Sequence, residues 1–387
     1  MKILVLGAGK MGRGAVHDLA HNSPDVEAIT VADTDFRLAE IIARLNGSEK
    51  CVAWGVEVTD YANVVELMTG HDAVISCVPY FYNFQLAQAA IEARANFCDL
   101  GGNITIAAQE LALDKEAKAA GINIIPDCGL APGMVSVLAM HGAKRFDRLD
   151  SIKIRVGGLP QSPKPPLNYQ LAFSVEGLIN EYVEPAQVIR AGKIETVESM
   201  TEIETLRIDG FDELEAFQTS GGTSTLPQTF LGKIQDLDYK TIRYRGHCEK
   251  VKMLIDLGFA SSQPVVVRTT SNDSVQIIPR QFLTEAFQRQ LPRNEPDVVI
   301  IRLEFSGAIN GEQQTLRYDI IDKMDLETDL TAMMRMTAFP ASIVAQMMAR
   351  GETLTKGATP QELAIEPNRF IAELARRNIK IQESFID

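Results

Sequence analysis

The stretch Lys2-Ile-Leu-Val-Leu-Gly-Ala-Gly-Lys-Met-Gly12 decides the fold of this chain. Its first part, Ile3 to Leu6, is an unbroken apolar run, which is typical of a parallel strand buried on both faces. A glycine-rich turn follows, and after it the residues up to about His21 alternate as in an amphipathic helix. The stretch therefore predicts a strand, a tight turn and a helix, the unit that opens a dinucleotide-binding domain.

Each glycine of the Gly7-x-Gly9-x-x-Gly12 turn has a distinct physical reason. Gly7 permits the turn, Gly9 lets a pyrophosphate approach the backbone, and Gly12 lets the helix pack closely on the strand. The helix N-terminus adds free N–H groups and a partial positive charge for the phosphates. We therefore predict a dinucleotide site here, with Lys10 and Met11 beside the phosphates.

The residue that ends the second predicted strand bears on which dinucleotide is bound. Val26 to Ala32 reads as that strand and is followed by Asp33, about twenty residues beyond the third glycine, as the fingerprint requires. A carboxylate there accepts both ribose hydroxyls and repels a 2′-phosphate, which predicts NAD rather than NADP. Arg37, one helical turn later, is the residue that could instead bind that phosphate.

Composition excludes several classes of function. The chain has 387 residues, 45% of them hydrophobic, enough for two domains with their own cores. A net charge of −13 argues against nucleic acid or an anionic membrane as the main partner. No apolar run reaches bilayer-spanning length, and the early glycines interrupt any signal peptide, so we expect a cytoplasmic protein.

Apolar runs and amphipathic stretches alternate along the first third of the chain, as in parallel βαβ units. Six strands in this rhythm predict a doubly wound, Rossmann-type sheet of order 3-2-1-4-5-6. The carboxyl ends of strands four to six should then face the nicotinamide. These ends carry Cys77-Val78-Pro79-Tyr80, Asp99-Leu-Gly101-Gly102 and Asp127-Cys128.

From Ser151 onwards the pattern changes to polar–apolar alternation, which predicts a second, α+β domain with an antiparallel or mixed sheet. Asn310-Gly311, between two alternating runs, is a strong hairpin signal. We predict a dinucleotide-binding domain over 1–135, a substrate-binding and dimerisation domain over 136–345, and a helical segment over 346–387 that returns to the first domain.

One cluster in the second region suggests a ligand. In Thr241-Ile-Arg-Tyr-Arg-Gly-His247, an extended backbone would put Arg243 and Arg245 on one face, where two guanidinium groups suit a carboxylate. A solvated strand face fits the same spacing. Tyr169, Glu176 and Thr219 are uninformative in isolation.

Taken together, these motifs show that the chain resembles the saccharopine dehydrogenase-like family over nearly its whole length. The motifs that carry the resemblance keep their order along the chain: Asp99-Leu-Gly-Gly102, Pro126-Asp127 with Ala131-Pro-Gly-Met134, Phe173-Ser-x-Glu-Gly-Leu178, Leu214-Glu-Ala-Phe217, Thr219-Ser-Gly-Gly-Thr-Ser-Thr-Leu226 and Thr241 to His247. The most similar branch implies NAD-linked oxidative deamination of the ε-amine of L-lysine to 2-aminoadipate 6-semialdehyde, which cyclises to piperideine-6-carboxylate. It also implies a homodimer.

Lysine can give up a hydride only as the neutral amine, so the site needs a base or a desolvated pocket. Asp99, Asp127, His247 and Tyr80 are the candidate catalytic residues. Arg243 and Arg245 would bind the α-carboxylate and Glu176 the α-ammonium, beside Tyr169 and Thr219. We predict that no metal is bound, although Cys77, Cys98 and Cys128, with His247 as a fourth ligand, could in principle converge on one.

Three other interpretations compete. A dehydrogenase of saccharopine or a related opine needs a second cationic pocket, for which Lys164 and Arg155 are the candidates. A non-catalytic NAD-sensing protein would bind the dinucleotide without turnover. An FAD protein would share the glycine fingerprint.

Overall fold

The computed structural model describes residues 1–268, 270 and 273–386. Its first part alternates strands and helices: β1 Lys2–Leu6, α1 Lys10–His21, β2 Ala28–Asp33, α2 Phe36–Leu45, β3 Cys51–Gly55, α3 Tyr61–Met68, β4 Ala73–Ser76, α4 Asn83–Ala93, β5 Asn96–Asp99, α5 Ile104–Leu111, α6 Asp114–Ala120, β6 Asn123–Ile125 and α7 Val135–Ala143. Where the alternation predicts one helix between β5 and β6, the chain forms two, α5 and α6, with a break at Ala112 and Leu113.

A mixed sheet and the chain's last elements follow. They are β7 Arg148–Pro160, α8 Val175–Val183, β8 Ala186–Arg190, β9 Lys193–Val197, β10 Glu204–Leu206, β11 Leu214–Gln218, α9 Leu226–Phe230, β12 Asp236–Tyr244, α10 His247–Asp256, β13 Val265–Arg268, β14 Ser274–Ile277, α11 Pro279–Gln290, β15 Asp297–Ile309, β16 Glu312–Lys323, α12 Ala332–Ala349, β17 Gly357–Ala358, α13 Gln361–Ala364, α14 Pro367–Arg376 and β18 Gln382–Ile386.

The first sheet is parallel and has the order β17-β6-β5-β4-β1-β2-β3. The predicted order 3-2-1-4-5-6 is therefore confirmed, and the Rossmann-type fold with it. Strands β1 and β4 are almost entirely buried, as their continuous apolar runs predict. The added edge strand, β17, pairs Gly357 with Asn123 and comes from the far end of the chain.

The second sheet is mixed, because β12 runs parallel to β7 while β15, β16 and β18 pair antiparallel. Strands β15 and β16 form the predicted hairpin. Asn310 and Gly311 both have positive φ, 53° and 82°, which is the requirement of the tight turn that matches the twist of the strands.

Helix α12 lies between the two sheets. Asp297, at the start of β15, accepts hydrogen bonds from the backbone N–H groups of Ala332 and Met333 at the N-terminus of α12. A Cβ on Gly14 of α1 would lie 2.9 Å from the Cβ of Ala338, so the two helices approach closely at this glycine. The helix begins at Ala332, well before the helical segment predicted over 346–387, because Pro340 reads as a breaker in the sequence but is accommodated inside this buried helix.

The last helix is joined to the first by a buried ion pair. The Nε and Nη2 atoms of Arg377 lie 2.6 and 3.0 Å from the two carboxylate oxygens of Asp18, and neither side chain is exposed. Ser342 of α12 donates a further hydrogen bond to Asp18. The tail thus contacts the first domain through this ion pair with α1 and through strand β17, and its strand β18 extends the second sheet. The predicted domain boundaries remain a prediction.

We expect Asp18→Asn to lower the free energy of unfolding by about 1.5–3 kcal/mol, because it removes the bidentate carboxylate from buried Arg377, which then keeps only its pair with Glu373. The change should appear as a lower urea midpoint. Glu40→Gln is the matched control, since Glu40 pairs with Arg44 on an exposed helix surface, where such pairs contribute roughly 0–1 kcal/mol. Equal midpoints for the two variants would contradict a stabilising role for the buried pair.

Candidate functional site

The glycine turn has the geometry of a phosphate site. A Cβ on Gly12 would lie 1.8 Å from the carbonyl oxygen of Gly7, and one on Gly7 would lie 2.9 Å from that of Cys77, so the fold itself requires both glycines. Gly9 differs, because its φ of −67° suits any residue and a Cβ added there would have no atom within 4 Å. The open space at Gly9 is what an approaching pyrophosphate needs.

The ribose end of this site is acidic. Asp33 accepts hydrogen bonds from the N–H groups of Ala8, at 2.7 Å, and Asp35, at 2.9 Å. Asp35 in turn caps α2 by accepting from the N–H groups of Arg37 and Leu38. The helix N-terminus that could bind a 2′-phosphate is therefore already occupied by a carboxylate of the chain.

The remaining predicted cofactor residues surround the turn. Lys10 and Met11 lie in the first turn of α1, where Lys10 is exposed and Met11 packs against the core. Cys77, Val78 and Pro79 follow β4 beside Gly7. Gly101 has a φ of 80° and lies against Asp127, so these residues line one edge of the sheet.

The carboxyl ends of β5 and β6 carry acids of different character. Asp127 is largely buried, and burial together with the neighbouring charge of Asp99 raises its pKa to about 7. Ser224, from the second sheet's loop 219–225, donates a hydrogen bond to the Asp127 carboxylate. Asp127 therefore lies where the two halves of the molecule meet.

Asp99, one of the candidate catalytic residues, lies buried beneath the turns that follow β5 and β6. Its carboxylate is 1% exposed and accepts hydrogen bonds from the backbone N–H groups of Gly101, at 2.6 Å, and Asp127, at 3.3 Å. Behind it lies Glu110, whose pKa is raised to about 11 by burial and by hydrogen bonding and charge interaction with Asp99. Asp99 thus fixes the two turns, and the raised pKa of Glu110 keeps that neighbouring acid neutral at physiological pH.

The second half of the crevice comes from α8, β12 and loop 219–225. Tyr80, after β4, accepts a hydrogen bond of 3.4 Å from the Asn180 side chain of α8. Thr219 bonds Thr241 of β12 at 2.7 Å, and both are buried. Because alternate residues of a strand share a face, Thr241 and Arg243 lie on the same side of β12. Arg243 therefore lies on the side of β12 that faces loop 219–225, whose Ser224 bonds Asp127.

Arg243 is held by a directional chain of hydrogen bonds. Its Nε donates to the Tyr182 hydroxyl at 3.0 Å, and Tyr182 lies 3.0 Å from Nε2 of His247. The His247 Nδ1 lies 3.0 Å from the carbonyl oxygen of Leu167, which can only accept. His247 must therefore carry its proton on Nδ1, accept from Tyr182 on Nε2, and leave the tyrosine oxygen to accept from Arg243.

This chain of hydrogen bonds corrects the prediction that His247 is a base. The ring is 1% exposed and both nitrogens are engaged. Burial and the charge of Arg243 lower its pKa to about 3, so it stays neutral at any physiological pH. Tyr169, predicted to bind substrate, instead presents its ring to the Arg243 guanidinium at 4.7 Å.

Two further predictions for the substrate site are wrong. Strand β12 ends at Tyr244, and the Arg245 side chain beyond it is exposed and ion-paired with Glu213, so it forms no fork with buried Arg243. Glu176 lies on the exposed side of α8, where it pairs with Arg280 at 3.0 Å. The helix presents a different acid, Glu181, towards Arg243, because five residues along a helix turn the side chain by about 140°.

Glu181 is absent from the residues predicted for the site, although it lies in the helix begun by Phe173 to Leu178. Burial raises its pKa to about 7, against the opposing effect of Arg243. The neighbouring Tyr182, also absent from the prediction, holds Arg243. The motif locates the helix correctly, but choosing between its acids requires the direction in which the helix packs.

A metal is not supported by the described residues. Across residues 1–268, 270 and 273–386, no group of three or more His, Cys, Asp and Glu side chains is arranged to hold an ion. Cys98 and Cys128 are buried as free thiols, and His247 is bonded elsewhere.

Among the described residues, no helix has the length and hydropathy of a membrane span.

Comparison with known proteins gives two adjoining family matches. The profile described as the saccharopine dehydrogenase NADP binding domain matches residues 3–125, and that of the saccharopine dehydrogenase C-terminal domain matches residues 129–379. Among curated proteins, the chain is 27% identical to saccharopine dehydrogenase [NADP(+), L-glutamate-forming] of Saccharomyces cerevisiae, over 66% of this chain and 58% of that enzyme.

A second relative is the mitochondrial alpha-aminoadipic semialdehyde synthase of Mus musculus, 24% identical over 92% of this chain and 45% of that protein. The chain thus spans about half the length of these relatives. Two solved structures share its fold over the whole chain. Apo saccharopine dehydrogenase (L-Glu forming) of Saccharomyces cerevisiae has a TM-score of 0.81 and 20% identity, and all of that chain is covered. Homospermidine synthase of Legionella pneumophila in complex with NAD has a TM-score of 0.71 and 13% identity, and 91% of that chain is covered.

We expect Gly9→Ala and Gly12→Ala to separate ligand binding from folding. Gly9→Ala should keep the wild-type melting temperature but weaken NAD binding by about tenfold or more, roughly 1.4 kcal/mol, because the added methyl enters the space for the pyrophosphate. Gly12→Ala should lower stability by about 1–3 kcal/mol through overpacking against Gly7. Thermal melting and titration calorimetry measure the two effects, and unchanged NAD affinity in Gly9→Ala would contradict the phosphate site.

Proposed function

Because the chain belongs to the saccharopine dehydrogenase family, we propose that it is an NAD-dependent oxidoreductase acting on the ε-amine of L-lysine, a lysine 6-dehydrogenase. Loss of a hydride and a proton would give the ε-imine, which water would hydrolyse to ammonia and 2-aminoadipate 6-semialdehyde, and the semialdehyde cyclises to piperideine-6-carboxylate. When bound, the nicotinamide would accept the hydride from Cε. The residues of the chain would select, orient and deprotonate the amino acid.

The observation that carries this proposal is that one of the buried arginines, Arg243, has no carboxylate partner among the described residues. Within the described residues, Arg155 and Arg377 each have a carboxylate within 4.0 Å, whereas Arg243, 3% exposed, has none. Its described hydrogen bonds go only to the Tyr182 hydroxyl and the Ile242 carbonyl. A buried guanidinium without a counter-ion is costly, and a substrate carboxylate supplies the missing charge.

Glu181 makes the same pocket complementary to an α-amino acid. Its carboxylate interacts with Arg243 but lies beyond ion-pair distance from it. An α-carboxylate on Arg243 would bring an α-ammonium towards Glu181, and the positive charge would favour the ionised form of that acid. The amino-acid head would then be fixed, which leaves the side chain to extend along β12 towards Asp127.

Asp127 is the candidate for the proton-accepting group. Its pKa of about 7, set by burial and by Asp99, suits a base that must be ionised at neutral pH yet can take a proton. Ser224 fixes the orientation of its carboxylate. Asp99 is less suited to this role because it is 1% exposed and bonded to the N–H groups of Gly101 and Asp127, and His247 because both of its ring nitrogens are bonded.

Charge also supports lysine over saccharopine as substrate. Saccharopine carries a second amino-acid arm, and the cations considered for it are already paired: Arg155 with Glu204 and Asp238, and Lys164 with Glu295. The family relatives named for saccharopine nevertheless make this the second candidate. A non-catalytic NAD-binding protein is the third, and would leave unexplained the buried guanidinium of Arg243 without a carboxylate partner among the described residues.

The acidic ribose end supports NAD. A 2′-phosphate would lie near Asp33 and Asp35, both of which already accept backbone hydrogen bonds as carboxylates. The yeast relative is named for NADP(+), so the prediction of NAD is specific to this chain.

The test is NADH formation, followed at 340 nm, with lysine or saccharopine and with NAD or NADP. We expect turnover with lysine and NAD, and a rate that rises from pH 6 towards 9–10, because the free ε-amine has a pKa of about 10.4 and only its neutral form reacts. Turnover with saccharopine alone would establish the second candidate. NAD binding without turnover of either amino acid would favour the third.

Tyr182→Phe tests how the carboxylate is bound. Removing the hydroxyl frees the Arg243 guanidinium from its anchor, so KM for lysine should rise about tenfold, the effect of roughly 1.4 kcal/mol, while KM for NAD stays unchanged. Tyr244→Phe is the matched control, since that buried hydroxyl donates to the Pro160 carbonyl instead. Equal rises in both Michaelis constants, or the same effect in both variants, would contradict the assignment of Arg243.

A further inference from the structure

Two acids lie in contact behind the crevice, away from any cation. Asp99, at the end of β5, and Glu110, on α5, are each 1% exposed. Their carboxyl groups are hydrogen-bonded to one another, and no cation among the described residues forms an ion pair with either. Two ionised carboxylates in contact inside a protein repel each other too strongly to coexist, so one of them must hold a proton.

The hydrogen-bond partners indicate which acid carries that proton. Oδ1 of Asp99 accepts from the N–H groups of Gly101 and Asp127, at 2.6 and 3.3 Å. Oδ2 of Asp99 and Oε1 of Glu110 are buried and have no N–H or hydroxyl donor among the described residues. A proton carried by Glu110 and donated to Oδ2 of Asp99 gives both atoms a partner. The raised pKa of Glu110, about 11 because of burial and the charge of Asp99, agrees with Glu110 as the donor.

A single glycine separates this pair from Asp127. The N–H group of Gly101 donates to Asp99, whereas a Cβ added to Gly101 would lie 2.5 Å from Oδ1 of Asp127. Only one residue, without a side chain, therefore divides the two carboxylates, and charges are weakly screened in a buried site. The negative charge that remains on the pair thus acts directly on Asp127.

We infer that Asp99 and Glu110 form a carboxyl–carboxylate pair that holds one proton, and that the single negative charge left on the pair sets the pH range in which Asp127 accepts a proton. The inference rests on the proposed function, in which Asp127 is the base. Asp99 and Glu110 are then positioning residues, because they act on the reaction through Asp127.

The other groups around Asp127 have smaller or opposite effects. Ser224, of loop 219–225, lowers the pKa of Asp127 by donating a hydrogen bond to it, and Glu362, on α13, raises that pKa less than Asp99 does. Three free thiols also lie near these carboxyl groups: Cys77, Cys98 and Cys128. Asp99 is therefore the charge with the largest effect on Asp127.

The pH profile of kcat/KM for lysine tests the effect of this charge. Because Asp127 must be ionised to act as a base, the wild type should lose activity as the pH falls below about 7. Combining Asp99→Asn with Glu110→Gln removes the charge, so Asp127 stays ionised at lower pH. This acid limb should then move down by about one to two pH units, the effect of one nearby charge in a partly buried site.

Glu110→Gln alone is the matched control. Its amide donates to Asp99 in place of the proton, so the negative charge remains and the acid limb should keep its wild-type position. A folded double variant with the wild-type limb, or a limb shifted equally in Glu110→Gln, would overturn the inference. Absence of an acid limb in the wild type would overturn the role of Asp127 as the base, and with it the role of the pair.

Infrared spectroscopy tests the shared proton without any substrate. At about pH 9 ordinary carboxyl groups are ionised, so the difference spectrum between wild type and Glu110→Gln should contain a carboxylic-acid C=O stretching band that shifts in heavy water. A difference spectrum without this band would overturn the pair, whether or not lysine is oxidised. If lysine is not oxidised but the band is present, the proposed substrate fails and the protonated pair stands. Circular dichroism melting and NAD titration check that each variant is folded.

Discussion

The arrangement of the two sheets depends on one helix, α12, which is fixed from both sides. The Asp297 carboxylate of the second sheet accepts hydrogen bonds at its N-terminus, and Gly14 of α1 lets it approach the first sheet closely. A side chain at position 14 would collide with Ala338. Because α12 contacts β4 and β5 of the first sheet and β15 of the second, it fixes the position of one sheet relative to the other.

Buried acids without cations give the crevice its electrostatic character. Burial raises the pKa values of Asp127, Glu110 and Glu181, and none of these three has an ion-pair partner within 4.0 Å among the described residues. The buried guanidinium nearby, that of Arg243, is aligned by neutral groups, Tyr182 and His247. The proposed binding of a zwitterionic amino acid therefore depends on Arg243 for one sign of charge and on Glu181 for the other.

The first domain could be predicted from sequence because its signals are local. The apolar run, the glycine spacing and Asp33 lie within one βαβ unit, and the strand order follows from the alternation of elements. Strand β17 could not be predicted, since two residues, Gly357 and Ala358, carry no pattern and pair only because α12 brings the chain back. The start of α12 was missed because Pro340 is a local signal overridden by burial.

The substrate side was predicted less well because its roles depend on tertiary contacts. The cluster Thr241 to His247 was found, but the burial of His247 depends on Tyr182 and Leu167, which are distant in sequence. Arg245 was assigned to a strand that ends one residue before it. Glu176 and Glu181 differ only in the face of α8 that they occupy, and spacing alone does not say which face packs inwards.

The ion pair between Asp18 and Arg377 has a consequence for synthesis on the ribosome. Asp18 leaves the exit tunnel early, yet its counter-charge follows only after more than 350 further residues. Until then the nascent N-terminal sheet lacks α12 and its seventh strand, and its first helix carries an aspartate destined for the interior. Translation must therefore pass the last helix, Pro367–Arg376, before the buried carboxylate of Asp18 can meet its counter-charge.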